Sequence, residues 1–193
     1  MTKRFGVVFV TVAVTVLTSG VCLAGIPLPP LCTIEASGNG DCSPGATVCP
    51  EGDGDVITVF IELIDQYGMP VGDQPVDIWA DLDATGFRYC PLEDLKTTVT
   101  NIDGQATVTF ARFGGCGDLS FYAECLYVPI GPSDLIYVAS YDNDGNLQVD
   151  LNDFIGFAGA YLTANPCCDY DCSGLVDLSD FIQFAGHYLH ACW

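Results

Sequence analysis

The chain has 193 residues, enough for one or two domains, with 25 acidic against 5 basic side chains and a formal net charge of −20. A surface so acidic repels phosphate backbones and anionic headgroups, which excludes nucleic acid and acidic lipid as partners. Eleven cysteines point to a compartment that permits disulfides.

The first 24 residues have the three-part layout of a secretory leader: Lys3 and Arg4, an apolar run from Phe5 to Leu17, then small residues ending at Ala24. Cleavage there leaves no membrane span and places the protein outside the cell or on its surface. It also removes Cys22, leaving Cys32, Cys42, Cys49, Cys90, Cys116 and Cys125 before residue 130 and Cys167, Cys168, Cys172 and Cys192 after it. Each group is even, so each half can close its own bonds, with the pairing within each half open.

Residues 25–54 are rich in Gly, Cys, Ser and Asp and lack periodicity, which predicts a disulfide-tied loop or edge region. Regular structure is expected to begin at Asp55. Ile57, Val59, Ile61 and Leu63 alternate with polar or outward residues, as do Val76, Ile78, Ala80 and Leu82, and Ala106, Val108 and Phe110, with turn signals between them. Further short strands are expected in "DLSFYAECLYV" and "DLIYVAS". The expected fold class is mainly β plus small α, with an antiparallel β-sandwich over 55–138. The stretch "VFIELIDQYGMPVGDQPVDIWA" followed by "TVTNIDGQATVTF" resembles the bacterial Ig-like domains of the invasin type, which implies a spacer or adhesive module without catalysis.

Residues 139–193 hold a tandem duplication. "DNDGNLQVDLNDFIGFAGAYL" from Asp142 aligns without a gap on "DYDCSGLVDLSDFIQFAGHYL" from Asp169, 27 residues on. In each copy oxygen-bearing side chains fall at positions 1, 3, 5, 9 and 12: Asp142, Asp144, Asn146, Asp150 and Asp153, then Asp169, Asp171, Ser173, Asp177 and Asp180. With the position-7 carbonyls of Gln148 and Leu175, that is the layout of a loop for hard Ca²⁺, and two such sites are expected. Gly174 supplies the turn at position 6 of the second loop, where the first has Leu147; a non-glycine residue with positive φ there predicts weaker binding by the first loop. Behind each loop, Phe154, Ile155, Phe157, Ala158, Tyr161 and Leu162, and their twins from Phe181 to Leu189, recur at helical spacing. Two such units are expected to bury those faces against each other, with Val149 and Val176 facing across the paired loops.

These loops, each closed by an Asp-Phe pair, resemble a dockerin, the calcium-dependent module that attaches secreted bacterial proteins to cohesin receptors. The resemblance implies a protein partner of cohesin-like type. Family members recognise cohesin through hydroxyl pairs at loop positions 10 and 11, whereas this chain has Leu151-Asn152 and Leu178-Ser179.

No catalytic arrangement is expected. Both histidines, His187 and His190, lie in the last helical segment, away from the β region, and "HYLHAC" suggests a transition-metal site with Cys192 less well than an exposed helical face. Asp77, Asp81, Asp83, Glu93 and Glu124 read as solvated strand and turn acids rather than a glycosidase pair. The expected function is calcium-dependent protein attachment by a secreted, non-catalytic protein. The alternatives are an envelope protein with purely stabilising calcium sites, and a glycan-binding accessory of a polysaccharide-degrading system that would use Trp79.

Overall fold

The structure is a computed structural model and describes residues 25–40, 42, 45–81 and 86–192. The leader expected over 1–24, together with Leu82 and Asp83, lies outside them. The protein is mainly β with two short helices. In chain order the strands are β1 (Thr33–Gly38), β2 (Ala46–Val48), β3 (Ile57–Glu62), β4 (Pro75–Ala80), β5 (Arg88–Tyr89) and β6 (Lys96–Val99), followed by β7 (Gln105–Phe110), β8 (Phe113–Gly114), β9 (Gly117–Leu119), β10 (Phe121–Cys125), β11 (Val128–Ile130) and β12 (Ile136–Ser140). The helices are α1 (Leu151–Ala160) and α2 (Leu178–His187). Among the described residues no helix is long and apolar enough to cross a membrane.

Alternating side chains do what their period requires. β3 buries Ile57, Val59 and Ile61, β4 buries Val76, Ile78 and Ala80, and β7 buries Ala106 and Phe110. Two sheets, ordered β1-β3-β7 and β11-β10-β4-β6, contribute to one buried apolar cluster, and the rings of Phe110 and Phe121 meet between them at 5.0 Å. The outward face of β4 carries Asp77, opposite Glu124 in register, and Trp79, which stacks on its cross-strand partner Tyr122. Asp77 accepts a hydrogen bond from Thr97, and Glu93 pairs with Lys96 at 2.7 Å.

Two expectations need correction here. Regular structure begins well before Asp55: β1 pairs antiparallel with β3 along its whole length, from Thr33 opposite Glu62 to Gly38 opposite Ile57. It buries Ile34 alone, so an edge strand of sequence TIEASG shows no apolar alternation to read. Nor is the pairing purely antiparallel, because β2 runs parallel to β12, with Val138 opposite Ala46. All three β2 residues are buried, and three residues are too few to display a period.

A second buried cluster gathers Tyr141, Val149, Phe157, Tyr170, Val176 and Phe184, joined by Cys49 from the segment after β2. The repeats therefore close on residues of the β region as well as on each other. The covalent connections follow the same route. Disulfides join Cys42 to Cys172, Cys90 to Cys192 and Cys116 to Cys167, each linking the β region to the repeats. The expectation that each half closes its own bonds is overturned, because even counts cannot reveal that the two halves pack face to face. Among the described residues Cys32, Cys49, Cys125 and Cys168 are thiols.

Non-reducing peptide mapping of the oxidised protein is expected to recover these three cross-half pairs, and pairs confined to either half would contradict the fold. Replacing Cys90 and Cys192 together by Ser opens a bridge of sequence separation 102 and is expected to lower stability in denaturant titration by about 2–5 kcal/mol.

Candidate metal centre

Each repeat folds its loop around the carboxylate at position 12. Asp153 accepts from the N–H groups of Asn143 (2.8 Å) and Asp144 (3.1 Å) with Oδ1, and from Asp150 N–H (2.8 Å) with Oδ2. Asp180 does the same with Tyr170 (2.6 Å), Asp171 (3.2 Å) and Asp177 (2.8 Å). One side chain thus ties the start of the loop to the start of the helix. Asp150 and Asp177 complete the join as N-caps, accepting from Asn152 and Ser179 N–H at 2.7 Å each and closing a capping box in both helices.

Position 1 organises the turn. Asp142 accepts from Asn146 and Leu147 N–H, and Asp169 from Ser173 and Gly174 N–H, at 2.7 to 3.1 Å. The outcome in both loops is convergence: Asp142, Asp144 and Asp153, and likewise Asp169, Asp171 and Asp180, bring one carboxylate oxygen each within 4.8 Å of the others. Asn146 and Ser173 occupy position 5 beside them, with Asn146 Oδ1 taking the N–H of Gln148 and the Ser173 hydroxyl donating to the carbonyl of Leu175. Three carboxylates from the same twelve residues, all aimed one way, suit a hard divalent cation.

Leu147 has φ 73°, as its position required, and Gly174 has φ 89°. A second left-handed position, at loop position 4, reverses the roles: Gly145 has φ 70° and Cys172 has φ 54°. Each loop therefore carries one glycine and one non-glycine residue in the left-handed region. The backbone supplies no reason for the first loop to bind more weakly.

The loops differ in cover. The carbonyl of Asp142 accepts from Gly115 N–H at 2.8 Å, and a Cβ on Gly114 of β8 would collide with Asp142 Oδ2. The β region thus closes over the first loop, and burial, reinforced by the charges of Asp153 and Asp144, pushes the Asp142 carboxyl up to about 7. Burial likewise raises Asp153 and Asp180 above the ordinary range.

Val149 and Val176 lie in the same buried cluster, and the opposite repeat holds the backbone of each: Val149 exchanges backbone hydrogen bonds with Leu189 and His190 beyond α2, and Val176 with Leu162 and Thr163 beyond α1. Each repeat's loop is braced by the chain leaving the other repeat's helix. The helices bury less than their pattern promised. Phe157 stacks on Phe184 at 5.5 Å, but Ile155, Leu162, Ile182 and Leu189 are exposed. Finally, Cys192 is engaged in a disulfide, and neither histidine sits on a free helical face; His187 lies on the ring of Tyr141 at 4.0 Å.

No protein-family model matches the chain, and no curated protein matches it. A solved structure with partial likeness is the crystal structure of the cupredoxin domain of amoB from Nitrosocaldus yellowstonii, 12% identical, covering 56% of this chain and 86% of that one at a TM-score of 0.30. A likeness at that level carries no argument about this protein.

The raised Asp142 carboxyl has a definite sign in pH. With the folded value near 7 and the ordinary value at 3.8, the proton stabilises the fold at low pH, and that contribution is lost as pH rises through 7. In chelator, the unfolding midpoint is expected to fall between about pH 5 and pH 8, and to fall less in Asp142→Asn. An equal fall in the variant would remove Asp142 as the cause.

Proposed function

We propose that the protein binds two Ca²⁺ ions, one per repeat, and that the ordered repeats attach it to a protein partner outside the cell. Asp142, Asp144, Asn146, the Gln148 carbonyl, Asp150 and Asp153 hold the first ion. Asp169, Asp171, Ser173, the Leu175 carbonyl, Asp177 and Asp180 hold the second. Oxygen-only donors select a hard cation, and a loop with four aspartates favours calcium over magnesium, which keeps most of its water. The module has no catalytic role in this reading, and the β region, in the manner of an Ig-like spacer, presents it.

The observation that carries attachment is the pair of apolar surfaces beside the loops. Leu151, Ile155, Leu178 and Ile182 are 58 to 64% exposed, at matching positions of α1 and α2. Large aliphatic residues repeated on the solvent side of two helices are what a protein–protein contact requires, and solubility alone disfavours them. Leu151 and Leu178 stand at loop position 10, where dockerins carry the first residue of their recognition pair. This favours an apolar-faced, cohesin-like partner over one that reads hydroxyls. Three disulfides fit an oxidising, extracellular setting.

Calorimetric titration of the whole protein is expected to show two equivalents of calcium, with Asp180→Asn losing one. Capture of the protein from solution by immobilised cohesins, and by the producing cell's own surface fraction, is expected with calcium and not with chelator. An Ile155→Asp, Ile182→Asp double variant should keep both calcium ions and lose at least tenfold in capture, since two buried apolar contacts are worth on the order of 3 kcal/mol. Two bound ions without calcium-dependent capture would instead assign the loops a purely stabilising role.

A further inference from the structure

A second kind of donor set lies where the turn after β2 meets the end of the second repeat. The turn after β2 contributes Cys49, Glu51 and Asp53, and the end of α2 contributes His187 and His190, some 140 residues away in sequence. The His190 Nδ1 atom lies 3.6 Å from Cys49 Sγ, 3.2 Å from Asp53 Oδ2 and 3.3 Å from Glu51 Oε2. His187 Nδ1 lies 3.2 Å from the other Asp53 oxygen. One ligand atom from each of Cys49, Asp53, His187 and His190 falls within 4.8 Å of all the others.

A hydrogen-bond network explains this poorly. An imidazole Nδ1 carries at most one hydrogen, yet two carboxylates, with the Cys49 sulfur beside them, converge on the Nδ1 of His190. A cation at their centre resolves the conflict. Four donors about 2.0 to 2.3 Å from one ion in a tetrahedron stand roughly 3.3 to 3.6 Å from one another. His190 Nδ1 is close to two such edges, at 3.6 Å from Cys49 Sγ and 3.2 Å from Asp53 Oδ2, while His187 Nδ1 approaches the other Asp53 oxygen; with all four donors within 4.8 Å, an ion draws the remaining pairs inward.

The donors are also held in place without any ion. Cys49 is fully buried in the second cluster, and its carbonyl accepts from Gly52 N–H at 2.9 Å, closing the turn that aims Asp53. His187 is fixed by its stack on Tyr141. His190 is fixed by the bond from Val149 N–H to its carbonyl at 2.8 Å and by the Cys90–Cys192 bridge two residues on.

The geometry points to a structural site for a borderline transition-metal ion of the zinc class, held by Cys49, Asp53, His187 and His190, with Glu51 at its rim. One sulfur and two imidazoles distinguish it from the oxygen-only loops, so the two kinds of site select different metals. With four protein donors it has no open coordination position and acts as a clasp between the β region and the last helix. It stands independently of the calcium reading.

The test is a Co²⁺ titration of the whole oxidised protein, with its free thiols intact, in excess calcium so that the loops are filled. One equivalent should produce visible bands of tetrahedral intensity and a near-ultraviolet sulfur-to-cobalt band, both bleached by Zn²⁺. Cys49→Ser should abolish the sulfur band, and His190→Gln should weaken binding by about tenfold or more, while Asp169→Asn leaves the spectrum intact. His190 is only partly buried, so its variant decides the matter if Cys49→Ser does not fold. No sulfur band in the unmodified protein, its survival in Cys49→Ser, or undiminished affinity in His190→Gln would overturn the assignment.

Discussion

Asp153 and Asp180 each collect three backbone N–H donors, two from the opening of a loop and one from the residue that caps the following helix. Hydrogen bonds to a carboxylate are about twice as strong as those between neutral groups, and these six fix both ends of both loops. The helices depend on them. At ten residues each, α1 and α2 are shorter than the roughly 12–15 residues at which an isolated helix becomes marginal in water. Their stability comes from the capped start and from the Phe157–Phe184 stack. The same carboxylates crowd their neighbours at positions 1 and 3, so the arrangement that starts each helix also concentrates negative charge. A divalent cation bound there would relieve that charge, and the proposed function on that ground couples ion binding to helix order.

The β region takes part in this coupling. It covers the first loop through Gly114 and Gly115, supplies Cys49 to the second cluster, and is bonded to the repeats at three cysteines. Three cross-links restrict the conformations open to the repeats, which reduces the conformational entropy that ordering them must overcome. In the proposed function, calcium adds local order at the helix starts and neutralises the loops, and a partner binds the apolar residues of α1 and α2 at less entropic cost because they stand on an ordered base.

Much of this was legible in the chain. The acidic loop residues that the fold brings together were readable because their spacing is local, and the 27-residue repeat doubled the signal; β3, β4 and β7 were readable because each buries one face over six residues. Features that depend on contact between distant segments were hidden. β1 buries a single side chain, β2 is three residues long, and the cysteine partners are 51 to 130 residues apart. The apolar period of α1 and α2 was read correctly, yet its burial was not, because periodicity marks an apolar face without saying whether this chain or another covers it. The expectation of a weaker first loop rested on Leu147 alone, and Cys172, also in the left-handed region, shows that the second loop carries a comparable non-glycine position. Cys49, Asp53, His187 and His190 have no spacing rule in common and meet only through the fold.

The central claim is that the position-12 aspartates link cation binding to the helix starts, and amide hydrogen exchange tests it most directly. On adding calcium to the chelated protein, the account predicts slower exchange at Asn143, Asp144, Asp150, Asn152, Tyr170, Asp171, Asp177 and Ser179, in both repeats together with the first turns of α1 and α2. The amides of β3 and β7 should change little. Exchange in the loops and first turns that calcium leaves unaltered would contradict the account.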